Sequence, residues 1–229
     1  MPNLKQSLRY NISVEGEVCE KLYFEHLSRL INECDKATYK VSFDIKKKNP
    51  SSFYKSRVNT YARKKKGKAK ECITYFHVQD IECYETHNDK FVALINEIKK
   101  LEEETGVYYQ LGYTNYTFDL WIIIHKRDMF HCITNRDKYY KDINKAFKTS
   151  YNHMDEYKKE EEFRKILNSI TLDDVINAVA RGEKIRKNHE DNNDHKEIVN
   201  GFIYYRNNPD MTLHSIVKQI LVDVGILKK

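Results

Sequence analysis

The sequence predicts an α/β fold: a mainly parallel sheet flanked by helices, of the Rossmann-like kind, followed by a helical C-terminal part. Three observations carry this. Strand and helix patterns alternate through residue 130, which favours right-handed crossovers and a parallel sheet. An acidic strand-turn-helix unit opens the chain at Val14-Glu15-Gly16-Glu17. From about residue 131 the pattern changes to helices separated by loops.

Leu8, Tyr10, Ile12 and Val14 alternate with Arg9, Asn11 and Ser13, a period-two strand that ends at Glu15. Gly16 permits a tight turn. Val18, Leu22, Tyr23, Leu27, Leu30, Ile31 and Cys34 then recur at helical spacing. Tyr39, Val41, Phe43 and Ile45 mark a second strand, after which Ser51 or Ser52 can cap a helix through Tyr54, Val58 and Tyr61. Ile73 to Val78 is short, apolar and β-branched, as in a central strand, and it stops at Asp80 and Glu82. Phe91, Leu94, Ile95, Ile98 and Leu101 define the next helix, closed by Thr105-Gly106. Val107 to Leu111 reads as a fourth strand, and Phe118 to Ile124, with Trp121, as a short buried helix capped by the preceding Asn and Thr.

Beyond residue 131, helical periodicity covers Tyr139 to Phe147, Tyr157 to Leu167, Leu172 to Ile185 and Leu213 to Val224, with helix starts at Thr171 and Thr212. Residues 1–130 are therefore taken as the α/β core and 131–229 as a helical region packed on it. The sequence leaves open whether the second part is separate or wraps the sheet, although three prolines and no long linker favour one unit.

Five cysteines without a C-x-x-C pair argue against a disulfide framework or zinc ribbon, and no apolar leader or long apolar run is evident, so the expected setting is cytoplasmic without a membrane. His131 and Cys132 lack zinc-partner spacing. G-x-x-x-x-G-K-[ST] and G-x-S-x-G are both absent, which excludes a P-loop ATPase and an α/β-hydrolase. The net charge of +6 hides two basic runs: Lys46, Lys47 and Lys48, then Arg63, Lys64, Lys65, Lys66, Lys68 and Lys70. Each is a candidate phosphate track or a solvated face. Tyr54 and Tyr61 stand as stacking residues for unpaired bases or as core.

The carboxylates point to chemistry. Glu15 and Glu20 bracket the first turn, and Asp80 and Glu82, two apart, would share a face if the third strand continued. If the two strands are neighbours, their carboxyl ends lie about 5 Å apart and the four acids converge. Such a cluster needs protons or a cation, and Mg²⁺ or Mn²⁺ suits hard oxygen donors. The site can then activate water and stabilise the leaving oxygen of a phosphodiester. His125 and Lys126 stand either as a general acid and charge clamp or as a cationic helix C-terminus.

The segment Ile12-Ser13-Val14-Glu15-Gly16-Glu17-Val18-Cys19-Glu20-Lys21-Leu22-Tyr23-Phe24 resembles the opening of RloB-like and abortive-infection Toprim proteins, an E-G-x-x-x-E with an aromatic pair. Asp80-Ile81-Glu82 takes the place of a D-x-D. Thr114-Asn115-Tyr116-Thr117-Phe118-Asp119-Leu120-Trp121-Ile122-Ile123-Ile124-His125 is similar to S-N-P-x-F-E-x-W-L-L-L-H, and Asn208-Pro209-Asp210-Met211-Thr212-Leu213-His214 also matches. The resemblance implies a Toprim-like fold with Glu15 as the acid at a Mg²⁺ or Mn²⁺ centre, Glu20 and the pair Asp80 and Glu82 as ligands, and Asp119 in place of the third-motif glutamate. It also implies a nuclease effector of antiviral defence that acts on DNA or tRNA, beside an AAA or ABC-type ATPase, with a homodimer as an open arrangement. Glu82 and Asp119 depart from the pattern in carboxylate length, and Tyr116 replaces a proline. Those departures keep a second expectation open, a non-catalytic adaptor docked to an ATPase.

Overall fold

The computed structural model describes residues 6–16, 18–64, 74–82, 84–133 and 135–228, with the backbone alone at 59–64, 84 and 85. Four parallel strands form the centre: β1 (Ser7–Val14), β2 (Lys40–Lys47), β3 (Thr74–Asp80) and β4 (Tyr109–Asn115). A short β7 (Asp210–Met211) joins β4 antiparallel, giving the order β2-β1-β3-β4-β7. Helices α1 (Cys19–Glu33), α2 (Pro50–Lys64) and α3 (Tyr84–Thr105) are the crossovers, and α4 (Asp119–Ile123) follows β4. The first and third strands are neighbours: Val14 lies opposite Val78 and the Glu15 N–H donates to the Val78 carbonyl at 3.1 Å.

The pleat sorts the side chains onto two faces. Tyr10, Ile12, Val14, Phe76 and Val78 pack with Leu22, Tyr23, Phe24 and Leu27 of α1 and with Leu120 to Ile124. Tyr75, Tyr109, Leu111 and Tyr113 pack on the other face against Phe53 of α2 and Phe91, Ile95 and Ile98 of α3. Trp121 is fully buried on the first face, with Tyr23 edge-on at 6.0 Å. Gly106 closes α3 with φ +66°, a left-handed C-terminal cap. Helix α2 is capped by the Asn49 side chain, which accepts from Ser52 N–H at 2.8 Å, in place of the expected serine cap.

The C-terminal part contains α5 (Tyr139–Phe147), α6 (Met154–Tyr157), α7 (Glu160–Asn168), α8 (Leu172–Asp191) and α9 (Leu213–Asp223). Thr171 and Asp174 form a full capping box at the start of α8. This part is not purely helical, because it also holds the antiparallel hairpin β5 (Lys196–Val199) and β6 (Phe202–Tyr205), and it supplies β7 to the main sheet. Buried Asp210 anchors it by accepting from the Tyr113 hydroxyl, from Arg186 at 3.0 Å and from Tyr205 N–H at 2.8 Å. Gly112 is small because α9 packs on β4 there; a Cβ would meet Ile216 Cδ1 at 2.6 Å. No helix among the described residues is long and apolar enough to cross a membrane.

Candidate functional site

All the sequence-selected acids lie at the carboxyl edge of the parallel strands, where open α/β sheets bind ligands. They form two groups. The first is Glu20, Asp80 and Asp119. Asp80 ends β3 on the face of Val78, and its Oδ1 accepts from the Thr114 hydroxyl of β4 at 2.5 Å. Glu20 sits in the first turn of α1, 6% exposed, and accepts from Gly16 N–H at 3.2 Å. A Cβ at position 16 would meet that carboxylate, so a larger residue there would displace the Glu20 side chain. Asp119 opens α4, 1% exposed, and accepts from the Thr117 hydroxyl at 2.9 Å.

Desolvation, and then the Glu20 charge, hold the Asp80 carboxyl well above the usual carboxylate range. Glu20 is raised too, by desolvation and by Asp119. Buried negative charges that oppose one another's ionisation are stabilised by a cation. One is present: Lys158, in the connection between α6 and α7, places Nζ 3.2 Å from Asp119 Oδ2, and Asp119 is the main cause of its raised pKa. Nothing in the periodicity of residues 154–168 marks this lysine, because tertiary packing brings it across from the C-terminal part.

The second group is Glu15 and Glu82. Glu15 lies one residue beyond Val14 and so falls on the opposite face from Asp80. It accepts from the Gln79 side-chain amide and from Asp80 N–H at 3.3 Å. Desolvation raises its pKa, the Asp80 N–H opposes this, and the Glu82 charge adds to it. Glu82 does not continue the strand. β3 ends at Asp80, and Glu82 has φ 58°, a left-handed conformation that non-glycine residues rarely adopt. Its side chain turns to Arg136 at 2.7 Å and His87 at 3.4 Å. The expectation that Asp80 and Glu82 share a face therefore fails, and the four carboxylates do not converge on one point.

The remaining candidates separate as well. His125 is 1% exposed, bonded to the Trp121 carbonyl at 2.8 Å and to the Tyr23 hydroxyl at 3.3 Å, and burial lowers its pKa to about 4. Lys126 donates to Asp174 at 2.6 Å and to the Ser169 carbonyl at 2.8 Å. Both are engaged in the fold here and neither is presented beside the acids. Lys46 and Lys47 end β2 and Lys48 follows, exposed at the carboxyl edge beside β1. Helix α2 runs back from that edge, so its last residues Arg63 and Lys64 lie about 20 Å away at the opposite end of the sheet. Lys65, Lys66, Lys68 and Lys70 fall outside the described residues.

Oxygen donors of this kind suit a hard divalent cation. Asp80, Glu20 and Asp119 would hold it, with Glu15 at the rim of the same edge. Among the described residues no three such side chains already form a closed cage. Ligation therefore calls for side-chain rotation, with Lys158 or the Gly16 N–H giving up its carboxylate.

The model of the RloB-like protein family matches residues 10–220, and the chain belongs to that family. No curated protein and no solved structure matches it.

Proposed function

We propose that this RloB-like protein is a Toprim-type nuclease that hydrolyses phosphodiesters with Mg²⁺ or Mn²⁺. The observation that supports this most is the meeting of Glu20, Asp80 and Asp119, from three separate elements, at the carboxyl edge of a parallel sheet with their negative charge under-compensated. A bound divalent ion supplies Lewis-acid stabilisation of a phosphoryl oxygen and a water of lowered pKa. The chain's own contribution is to hold the three carboxylates, to exclude bulk water from them through α4 and α6, and to keep Lys158 within reach of a phosphate. Exposed Lys46 and Lys48 beside that edge fit a nucleic-acid backbone. The defence role, with an ATPase partner that supplies nucleotide hydrolysis, rests on the family resemblance.

One observation favours the rival reading of a non-catalytic adaptor: Asp119 and Glu82 already have cationic partners in Lys158 and Arg136. Cleavage decides between them. Purified protein is incubated with supercoiled plasmid, single-stranded DNA and bulk tRNA in Mg²⁺, Mn²⁺ or EDTA, beside a folded Asp80→Asn control. Metal-dependent cleavage lost in the control is expected. Cleavage that survives both EDTA and the substitution, or silence on every substrate even with the ATPase added, would favour the adaptor.

A further inference from the structure

A buried line of polar side chains crosses the second face of the sheet and ends at Glu15. The Tyr109 hydroxyl of β4 lies 2.9 Å from Ser13 Oγ of β1, and Ser13 Oγ lies 2.8 Å from His77 Nδ1 of β3. His77 Nε2 lies 3.3 Å from Gln79 Oε1, and the Gln79 amide nitrogen donates to Glu15 Oε2. Ser13 and His77 are 0% and 2% exposed, so these groups have one another and little water. Buried polar groups cost stability unless paired, and this chain pairs them in series.

The end of the line sets its direction. Glu15 Oε2 accepts from two donors, the Gln79 amide nitrogen and the Asp80 N–H at 3.3 Å. Gln79 must then turn its NH₂ toward Glu15 and its carbonyl oxygen toward His77. The His77 Nε2 must carry a proton to meet that oxygen. In a neutral ring Nδ1 is then an acceptor, which takes the Ser13 proton in preference to the longer contact to the Phe76 carbonyl at 3.3 Å. Ser13 in turn accepts from Tyr109. Burial lowers the His77 pKa to about 4, which keeps the ring neutral at physiological pH.

We propose that Gln79 and His77 are positioning residues for Glu15, joined by Ser13 and Tyr109 in a relay whose every donor points toward that carboxylate. The relay fixes the rotamer of Glu15 and keeps its lone pairs aimed at the carboxyl edge, as outer partners of metal-site acids do. It deepens the metal-nuclease reading, on which it rests for the purpose of Glu15.

Two measurements test it. In ¹⁵N-correlated imidazole spectra of the full chain at neutral pH, the resonances absent from His77→Gln are assigned to His77. The expected form is the Nε2–H tautomer, with Ser13→Ala giving a mixture of tautomers. The Nδ1–H tautomer in the unaltered protein would overturn the relay. Calorimetric titration with Mn²⁺ alone then compares wild type with Gln79→Leu, where an affinity loss of about 10- to 100-fold is expected while the variant stays folded by circular dichroism. Unchanged affinity sinks the relay whatever happens to cleavage. A wild-type protein that binds Mn²⁺ and cuts nothing even with the ATPase added sinks the nuclease reading and leaves the relay to both tests; one that binds no Mn²⁺ leaves it to the tautomer.

Discussion

Two groups of acids share one edge of the sheet and differ in almost every physical respect. Glu20, Asp80 and Asp119 are enclosed between α1, α4 and the C-terminal helices, with Glu20 and Asp80 raised in pKa and Lys158 paired to Asp119. Glu15 lies on the other face, tied to an amide and a backbone N–H, and Glu82 lies in the turn after β3, tied to Arg136 and His87. The difference teaches that motif spacing alone does not define a site. Strand parity separates Glu15 from Asp80, and the left-handed turn at Glu82 takes the second acid of the D-x-E out of register.

Substitution breaks this comparison most forcefully. Asp80→Asn is expected to slow metal-dependent cleavage on the order of 10³-fold, about 4 kcal/mol of transition-state stabilisation. Glu82→Ala is expected to slow it less than about 10-fold, because that carboxylate is committed to Arg136. Initial rates on one substrate measure both, and equal losses would abolish the distinction between the groups.

Acid extends the comparison to stability. His77 on the second face, and His125 and His214 on the first, are buried with pKa values lowered from 6.5 to about 4. Above pH 6.5 each ring is neutral in the folded and unfolded chain, and no stability is lost. As pH falls from 6.5 the unfolded chain takes up protons first, so stability declines to about pH 4 and then levels off for these groups. Each buried ring contributes on the order of 3 kcal/mol to that loss. The raised carboxyls of Asp80, Glu20 and Asp210 act in the opposite sense over the same range. The ring's share is therefore read as the difference in urea midpoints between wild type and His77→Gln from pH 7 to pH 4, where the variant is expected to lose less stability by one ring's share.

Lys158 offers a smaller effect. Removing one partner of a buried ion pair is costly, but this lysine is 36% exposed, so Lys158→Met is expected to cost about 1–2 kcal/mol in EDTA. Mg²⁺ should restore part of it by taking over the neutralising charge. Thermal melts with and without Mg²⁺ measure the difference, and an identical Mg²⁺ response in wild type and variant would mean that the lysine and the metal do not share a place. Smallest is Arg136→Ala, whose ion pair with Glu82 is half exposed and is expected to contribute under about 1 kcal/mol.

Much of the scaffold was legible because its signals are local. Period-two alternation located β1 and β2, helical spacing located α1, α3 and α9, and the acidic strand ends marked the carboxyl edge where the acids gather. What escaped is non-local or brief. Lys158 reaches Asp119 only through packing, and the relay from Tyr109 to Glu15 needs the register of three strands. The β5–β6 hairpin did carry a readable sign, Asn200-Gly201 with both residues at positive φ, the turn that matches strand twist. Its strands are only four residues long and lie between helical segments, which masked it.

The central claim is that the enclosed trio, with Glu15 at its rim and Glu82 left out, forms the cation site. Titration of Mn²⁺ into wild type, Asp80→Asn and Glu82→Ala at fixed pH tests it most directly. The expected result is binding by wild type and Glu82→Ala and its loss in Asp80→Asn, with all three folded by circular dichroism. Binding that survives in Asp80→Asn and disappears in Glu82→Ala would contradict it.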